Sequence, residues 1–151
     1  MTLTVRQAAR VIVRDPDDSV LLLRYDDAPP NGVHWSTPGG GLDDGEDYAT
    51  AAARELVEET GWTDVHVAPV EIHRRDLEME FFGRLVRQHE RFFGARVDQV
   101  ARPLVDVTDM HVLDRIAAWR WWSRAELRAS TETVWPAELA DLVDALVAQA
   151  P

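Results

Sequence analysis

Glu55, Glu58 and Glu59 stand at positions i, i+3 and i+4 of a segment made largely of good helix formers, a spacing that gathers their carboxylates on one helical face. Like charges so placed repel by an amount similar to the ~0.2–0.5 kcal/mol that a favourable helical pair contributes, so the face calls for something cationic. Hard oxygen donors suit magnesium, with manganese as a substitute, and a metal held by a few carboxylates keeps waters and takes up phosphates. A solvated acidic helix face has the same spacing, so the glutamates alone leave both readings open. Just upstream, Trp35-Ser36-Thr37-Pro38-Gly39-Gly40-Gly41 lets the backbone come close to a ligand and aim carbonyls or amides at a metal or phosphate. Gly40 and Gly41 are therefore candidate substrate contacts. Trp35, which leads into this run, is a candidate base-stacking residue, with core packing as the alternative.

The elements that must position these groups can be read from periodicity. Val11–Arg14 and Val20–Tyr25 are apolar, β-branched runs around the turn sequence Asp15-Pro16-Asp17-Asp18, so the chain should start with a hairpin. The stretch 26–45 holds three prolines and five glycines and reads as loop. Ala49, Ala53, Leu56 and Thr60 recur at helical spacing before Gly61, which predicts a helix over 47–60 with an apolar side opposite the carboxylates and a left-handed glycine cap. Residues 65–72, 85–87 and 91–97 read as strands, with Phe81, Phe82, Phe92 and Phe93 as core or pocket aromatics. Ser123 opens a capping box, and Pro136 opens a last helix whose Leu139, Leu142, Val143 and Leu146 form a stripe. Strands flanked by helices suggest an α/β/α arrangement around a mixed sheet, and no repeat or linker divides the 151 residues, so one domain over 1–151 is expected.

The composition narrows the partners. A net charge of -11 repels polyanions, which disfavours a nucleic-acid polymer or an anionic membrane, while a small phosphorylated substrate remains open if a metal carries the positive charge. With no cysteine, thiolate chemistry is excluded. No apolar run is long enough to span a bilayer and the first residues do not read as a signal peptide, so a cytoplasmic location is expected by default. All sixteen basic residues are arginine, which reads as coding bias rather than sixteen anion sites. His34, His66, His73 and His111 show no metal-ligand spacing.

Written out, the chemical segment is Gly40, five residues, Glu46, seven residues, then Arg54-Glu55-Leu56-Val57-Glu58-Glu59-Thr60-Gly61-Trp62. This resembles the signature of the Nudix (MutT-like) hydrolases at every fixed position over 23 residues, Gly40 to Trp62, and departs only mildly at Trp62, where an aliphatic residue is commoner. The resemblance implies a Nudix-type α/β/α sandwich and metal-dependent cleavage of a pyrophosphate bond in a nucleoside diphosphate linked to another group. It implies that Glu55 and Glu59 bind divalent metal, that Glu58 binds metal or activates water, and that the Gly39 carbonyl completes the shell. Arg54 then looks like an orienting partner for a carboxylate, through a bidentate geometry that lysine lacks. Glu46 reads as mainly structural, a carboxylate at the helix start able to reach loop amides, and Gly61 as the helix cap. Glu58 is the first choice of general base, with Glu90 and Glu132 as alternatives outside the box. Glu90 otherwise reads as an exposed strand residue.

The markers of NADH pyrophosphatases and coenzyme A hydrolases are absent, so nucleoside triphosphates and nucleotide sugars both fit. A homodimer is compatible with the fold but no feature of the sequence demonstrates one. A non-catalytic nucleotide- or sugar-sensing module of the same fold is the alternative, although such modules usually lose box carboxylates that this chain keeps. A calcium loop at Asp43-Asp44-Gly45-Glu46-Asp47 lacks the twelve-residue ligand pattern. An isomerase of the same fold would turn over substrate without releasing phosphate or nucleoside monophosphate.

Overall fold

The computed structural model describes residues 3–99, 104 and 115–149, so His111 lies outside the described residues. The strands are β1 (Thr4–Arg14), β2 (Val20–Asp26), β3 (Val33–Ser36), β4 (Gly39–Gly41), β5 (His73–Phe81), β6 (Arg84–Arg96), β7 (Ile116–Trp122) and β8 (Val134–Trp135). The helices are α1 (Tyr48–Thr60), α2 (Arg124–Ala129) and α3 (Leu139–Gln149). Sheet order is β5-β6-β1-β2-β3-β8, with β4 paired to β1 and β7 to β2. β1 runs parallel to β6 and β3 parallel to β8, while the other pairs are antiparallel, so the sheet is mixed as expected.

Alternation along β1 builds the two layers. Ala9, Val11 and Val13 point to one face, where with Leu21 they meet Ala51, Ala52 and Leu56 of α1 and the indole of Trp62. Ile12 points to the other, joining Leu22, Trp35, Phe92 and Trp122 under Leu139 and Val143 of α3. Helices thus cover both faces, and this is the α/β/α sandwich. Leu142 and Leu146 complete the predicted stripe, and the capping box at Ser123 is present in full.

Four readings of the sequence are corrected. The stretch 26–45 carries two short strands, β3 and β4, because its backbone pairs with β1, β2 and β8 although glycine gives no propensity signal. Within 65–72 only Val67 makes a bridge, to Ala95, and the strand starts at His73, beyond Pro69, which cannot donate to a ladder. Residues 85–87 and 91–96 belong to one strand, β6, which ends at Arg96, one residue short of the expected bound. Its Gln88 and Glu90 look like a break in sequence, but both side chains are buried and find polar partners. On α1 the buried side is Ala51, Ala52 and Leu56, with Ala53 exposed, so the apolar face is rotated from the one predicted. Among the described residues no helix is long and apolar enough to cross a membrane.

Candidate active site

The Asp47 side chain accepts from the Thr50 N–H at 2.7 Å to start α1, and Gly61, at φ 74°, ends it by donating to the Val57 carbonyl at 2.7 Å. Those caps fix which turn carries the glutamates. Opposite them lies β4, held in register by Ala8↔Gly41, Ala9↔Gly40 and Arg10↔Gly39. A strand of three glycines lets carboxylates press directly on backbone. A Cβ on Gly40 would fall 2.5 Å from Glu55 Oε1, and one on Gly39 only 2.1 Å from the Ala9 carbonyl oxygen. Glu59 is 1% exposed; its Oε1 accepts from the Gly39 N–H at 2.6 Å and its Oε2 from the Tyr25 hydroxyl at 3.0 Å. Burial, reinforced by the neighbouring Glu55 charge, pushes the Glu59 carboxyl well above its ordinary range, against the opposing pull of Arg10 and these hydrogen bonds.

Arg54 braces the mouth of this arrangement. It binds Glu46 through Nε and Nη2, both at 2.8 Å, donates to the Gly41 carbonyl at 2.9 Å, and reaches Glu55 at 3.2 Å and both oxygens of Glu58 at 3.1 Å through Nη1. The expected orienting role is therefore a shared one. Glu46, which also accepts from the Asp43 N–H at 2.9 Å, is the bidentate partner, and Glu58 is held by one nitrogen. The Arg54 hydrogen bonds hold the Glu46 carboxyl down to about 2. Because that value lies below the unfolded one, whatever stability the brace gives is present above pH ~4.5 and fades only as pH falls toward 2. Arg54→Lys supplies one charge but not the fork, and should lower kcat by about 10- to 100-fold with little loss of fold, measured by steady-state rates alongside thermal melting.

In front of these groups opens a cleft of about 400 Å³. Its wall toward β1 and β6 is polar. Glu90, 2% exposed, accepts from Arg10 Nε at 3.2 Å, Arg75 Nε at 2.7 Å and Gln88 Nε2 at 2.7 Å. Burial alone would raise the Glu90 carboxyl, but Arg10 and Arg75 outweigh it and hold it below its ordinary value. It is thus not the exposed residue that its sequence context suggested. The same cleft is lined on another side by His34, stacked on Trp135 at 3.9 Å and on Tyr25 at 5.4 Å, and at its rim by Phe81 and by Phe82, which is 63% exposed.

Trp35 is not part of this cleft. On β3 the alternation sends His34 and Ser36 toward it and Trp35 into the opposite layer, edge-on to Trp122 at 5.3 Å, with its N–H donated to Glu132 at 3.2 Å. The stacking role weighed for Trp35 is withdrawn, and Glu132 is drawn away with it. Of the other tryptophans, Trp122 is buried in the core and Trp121 packs against it, while Trp119 is 38% exposed. The sequence reading passed over Arg6, Arg10, Tyr25, Arg75, Gln88 and Trp135. One signal was available: Arg6 and Arg10 share a parity on a strand whose central residues are apolar, which marks a polar end on one sheet face.

Among the described residues no three His, Cys, Asp or Glu side chains stand assembled as a metal-ligand cluster; Arg54 engages Glu55 and Glu58, and the Gly39 N–H engages Glu59. The donor chemistry nonetheless fits a hard divalent cation. The candidates are carboxylates and backbone carbonyls only, and buried Glu59 beside Glu55 is a pair of like charges that such an ion would neutralise.

A sandwich of this topology, with a glycine strand facing a glutamate-rich helix, defines the MutT-like class of α/β/α folds. The NUDIX domain family profile matches residues 4–143, and the chain belongs to that family. A Bacillus subtilis protein provisionally named 8-oxo-dGTP diphosphatase is 36% identical over 83 residues, covering 52% of this chain and 53% of that protein. The RNA pyrophosphohydrolase of Dinoroseobacter shibae is 55% identical over 121 residues, covering 69% and 67%. The chain thus spans about half the length of the first and two thirds of the second. The crystal structure of a MutT protein from Methanosarcina mazei Go1 superposes with a TM-score of 0.67 at 20% identity, covering 99% of this chain and 97% of that one, and so shares the fold.

Proposed function

We propose that this chain is a hydrolase that uses a divalent cation, magnesium or in its place manganese, to cleave a pyrophosphate bond in a nucleoside diphosphate linked to another group. The observation that carries this reading is the burial of Glu59 and Glu55 against Gly39 and Gly40, with Glu58 braced by Arg54 at the open end of the same face. Glu55, Glu58, Glu59 and the Gly39 carbonyl would hold the ion, which when bound supplies charge neutralisation at the diphosphate and a lowered pKa for water. Gly39 N–H and Tyr25 fix the rotamer of Glu59 before substrate arrives. Gly40 and Gly41 present bare backbone along which a phosphate chain can lie. Glu58, the most solvent-accessible of the three at 34% side-chain exposure, takes the proton of the attacking water while Arg54 keeps it aimed.

Glu90 is a poor base, since Arg10 and Arg75 occupy both its oxygens and hold its proton affinity down. Glu132 is engaged by Trp35 away from the cleft. The cleft volume suits one nucleoside with its phosphates, which favours a small nucleotide. The name of the Dinoroseobacter shibae relative favours a second reading, the phosphorylated end of an RNA, against which the net charge of -11 weighs for any long polymer. A panel of nucleoside triphosphates, oxidised nucleoside triphosphates, nucleotide sugars, dinucleoside polyphosphates and a 5′-triphosphorylated oligoribonucleotide, each with magnesium, tests both. Release of phosphate or nucleoside monophosphate from one small-nucleotide class is expected. Turnover confined to the oligoribonucleotide would select the RNA reading, and binding without any turnover would select a sensing module.

A further inference from the structure

Arg6 stands on the same face of β1 as Arg10, half-buried in the cleft wall. Its neighbours spend their charge on carboxylates: Arg10 and Arg75 pair with Glu90, and Arg54 pairs with Glu46. Arg6 has no ion pair with any described residue. Its Nη1 donates to Gln88 Oε1, and its guanidinium carbon sits 3.9 Å from the centre of the Phe81 ring. Gln88 is fixed in turn by donating to Glu90 at 2.7 Å, so the guanidinium is held by a rigid neutral amide and an aromatic face. Its Nη2 looks across the empty side of Gly41, 3.3 Å from the point where a Cβ would stand.

A guanidinium carries five N–H donors, and an amide oxygen and a ring leave several of them unanswered. Burial and the neighbouring Arg10 charge lower the Arg6 pKa to about 10, so the group is cationic at neutral pH. With no carboxylate in ion-pair contact among the described residues, in a protein with 27 acidic against 16 basic residues, Arg6 is a half-buried cation whose burial cost Glu90 and Glu55 offset only in part and through space.

We propose that Arg6 is a phosphate-binding residue: it receives a phosphoryl group of the substrate lying along Gly41, beyond the phosphoryl group attacked near Glu58, with Phe81 and Gln88 holding the guanidinium flat for a two-point contact. The assignment of the anion as a phosphoryl group rests on the pyrophosphohydrolase reading. The site itself rests on a guanidinium that has no ion pair among the described residues and is held toward Gly41 by Gln88 and Phe81. Isothermal titration with imidodiphosphate, whose bridging nitrogen resists hydrolysis, in the presence of magnesium reads this contact without turnover. Arg6→Met should bind about 10- to 100-fold more weakly than the natural chain, and Arg6→Lys should fall between or match the methionine variant, while unliganded Arg6→Met melts at the same temperature or higher. Unchanged affinity in Arg6→Met would overturn the proposal, as would a lowered melting temperature in both variants with affinity falling only in step with it. Arg6-dependent binding of imidodiphosphate by a chain that hydrolyses nothing in the substrate panel would leave this site standing and remove the hydrolase reading instead.

Discussion

Gly40→Ala is expected to leave the chain folded and nearly inactive. The added Cβ would stand 2.5 Å from Glu55 Oε1 and 2.8 Å from Oε2, too close to persist, but what it meets is the far end of a flexible side chain. Gly40 is not among the glycines with positive φ, so alanine fits its backbone. The clash is relieved by turning the Glu55 carboxylate out of place, at a cost of about 0.5–1.5 kcal/mol of rotamer strain. Loss of a metal-binding carboxylate's position should then lower kcat/KM on the order of 100-fold or more. Gly39→Ala, one residue away, is expected to behave differently. Its Cβ would overlap the Ala9 carbonyl at 2.1 Å and the Arg10 Cα at 2.8 Å, on backbone held at φ 151°. No side-chain motion removes that overlap, and β4 must leave β1, a destabilisation of about 3 kcal/mol or more. Circular dichroism melting with steady-state kinetics separates the two. A Gly40→Ala protein that works normally would show that Glu55 is not needed where it sits.

Glu59→Gln carries the larger functional effect and an opposite effect on stability. Glutamine can still accept the Gly39 N–H and donate to the Tyr25 oxygen, so the local hydrogen bonds survive. The charge does not. Activity should fall roughly 10³-fold, equivalent to about 4 kcal/mol of lost stabilisation at the reacting phosphate. Without metal, the folded pKa of Glu59 lies above its unfolded value, so the contribution of Glu59 to stability is fully present below pH ~4.5 and is lost as pH rises through the folded pKa. The glutamine variant escapes that loss. Its metal-free melting temperature at pH 7 should exceed the natural one by a few degrees, given that ~1 kcal/mol moves a domain of this size by about 2–4 °C, and the gap should close near pH 4.5. Calorimetry over pH in the presence of a chelator checks this; a glutamine variant less stable at pH 7 would show that burial does not burden the carboxylate.

What the sequence disclosed and what it withheld divide along physical lines. Helix α1 and its C-terminal cap were legible because the signals are local: Glu55, Glu58 and Glu59 share about one turn and Gly61 follows directly, whereas Asp47, read as the first helical residue, is the N-cap. The α/β/α layering was legible because β1 and β2 read as apolar runs and α3 carries an apolar stripe at helical spacing. β4 was hidden, since three glycines carry no pattern and pair only because β1 is beside them. The polar wall was hidden for the same reason: Arg10, Arg75, Gln88 and Glu90 come from three strands that only the sheet brings together, and each alone looks like a surface residue. Trp35 was misplaced because its neighbours in sequence, not its parity on β3, suggested a role.

The central claim is that a divalent ion held by the α1 glutamates drives pyrophosphate cleavage, and it is tested most directly by titrating magnesium against product release from the best substrate of the panel, for the natural chain and for Glu58→Gln. The account predicts no release in chelator, saturable activation by magnesium with manganese able to replace it, and a loss of turnover in Glu58→Gln that added metal does not restore. Full turnover in chelator, or a Glu58→Gln protein as fast as the natural chain at every metal concentration, would contradict it.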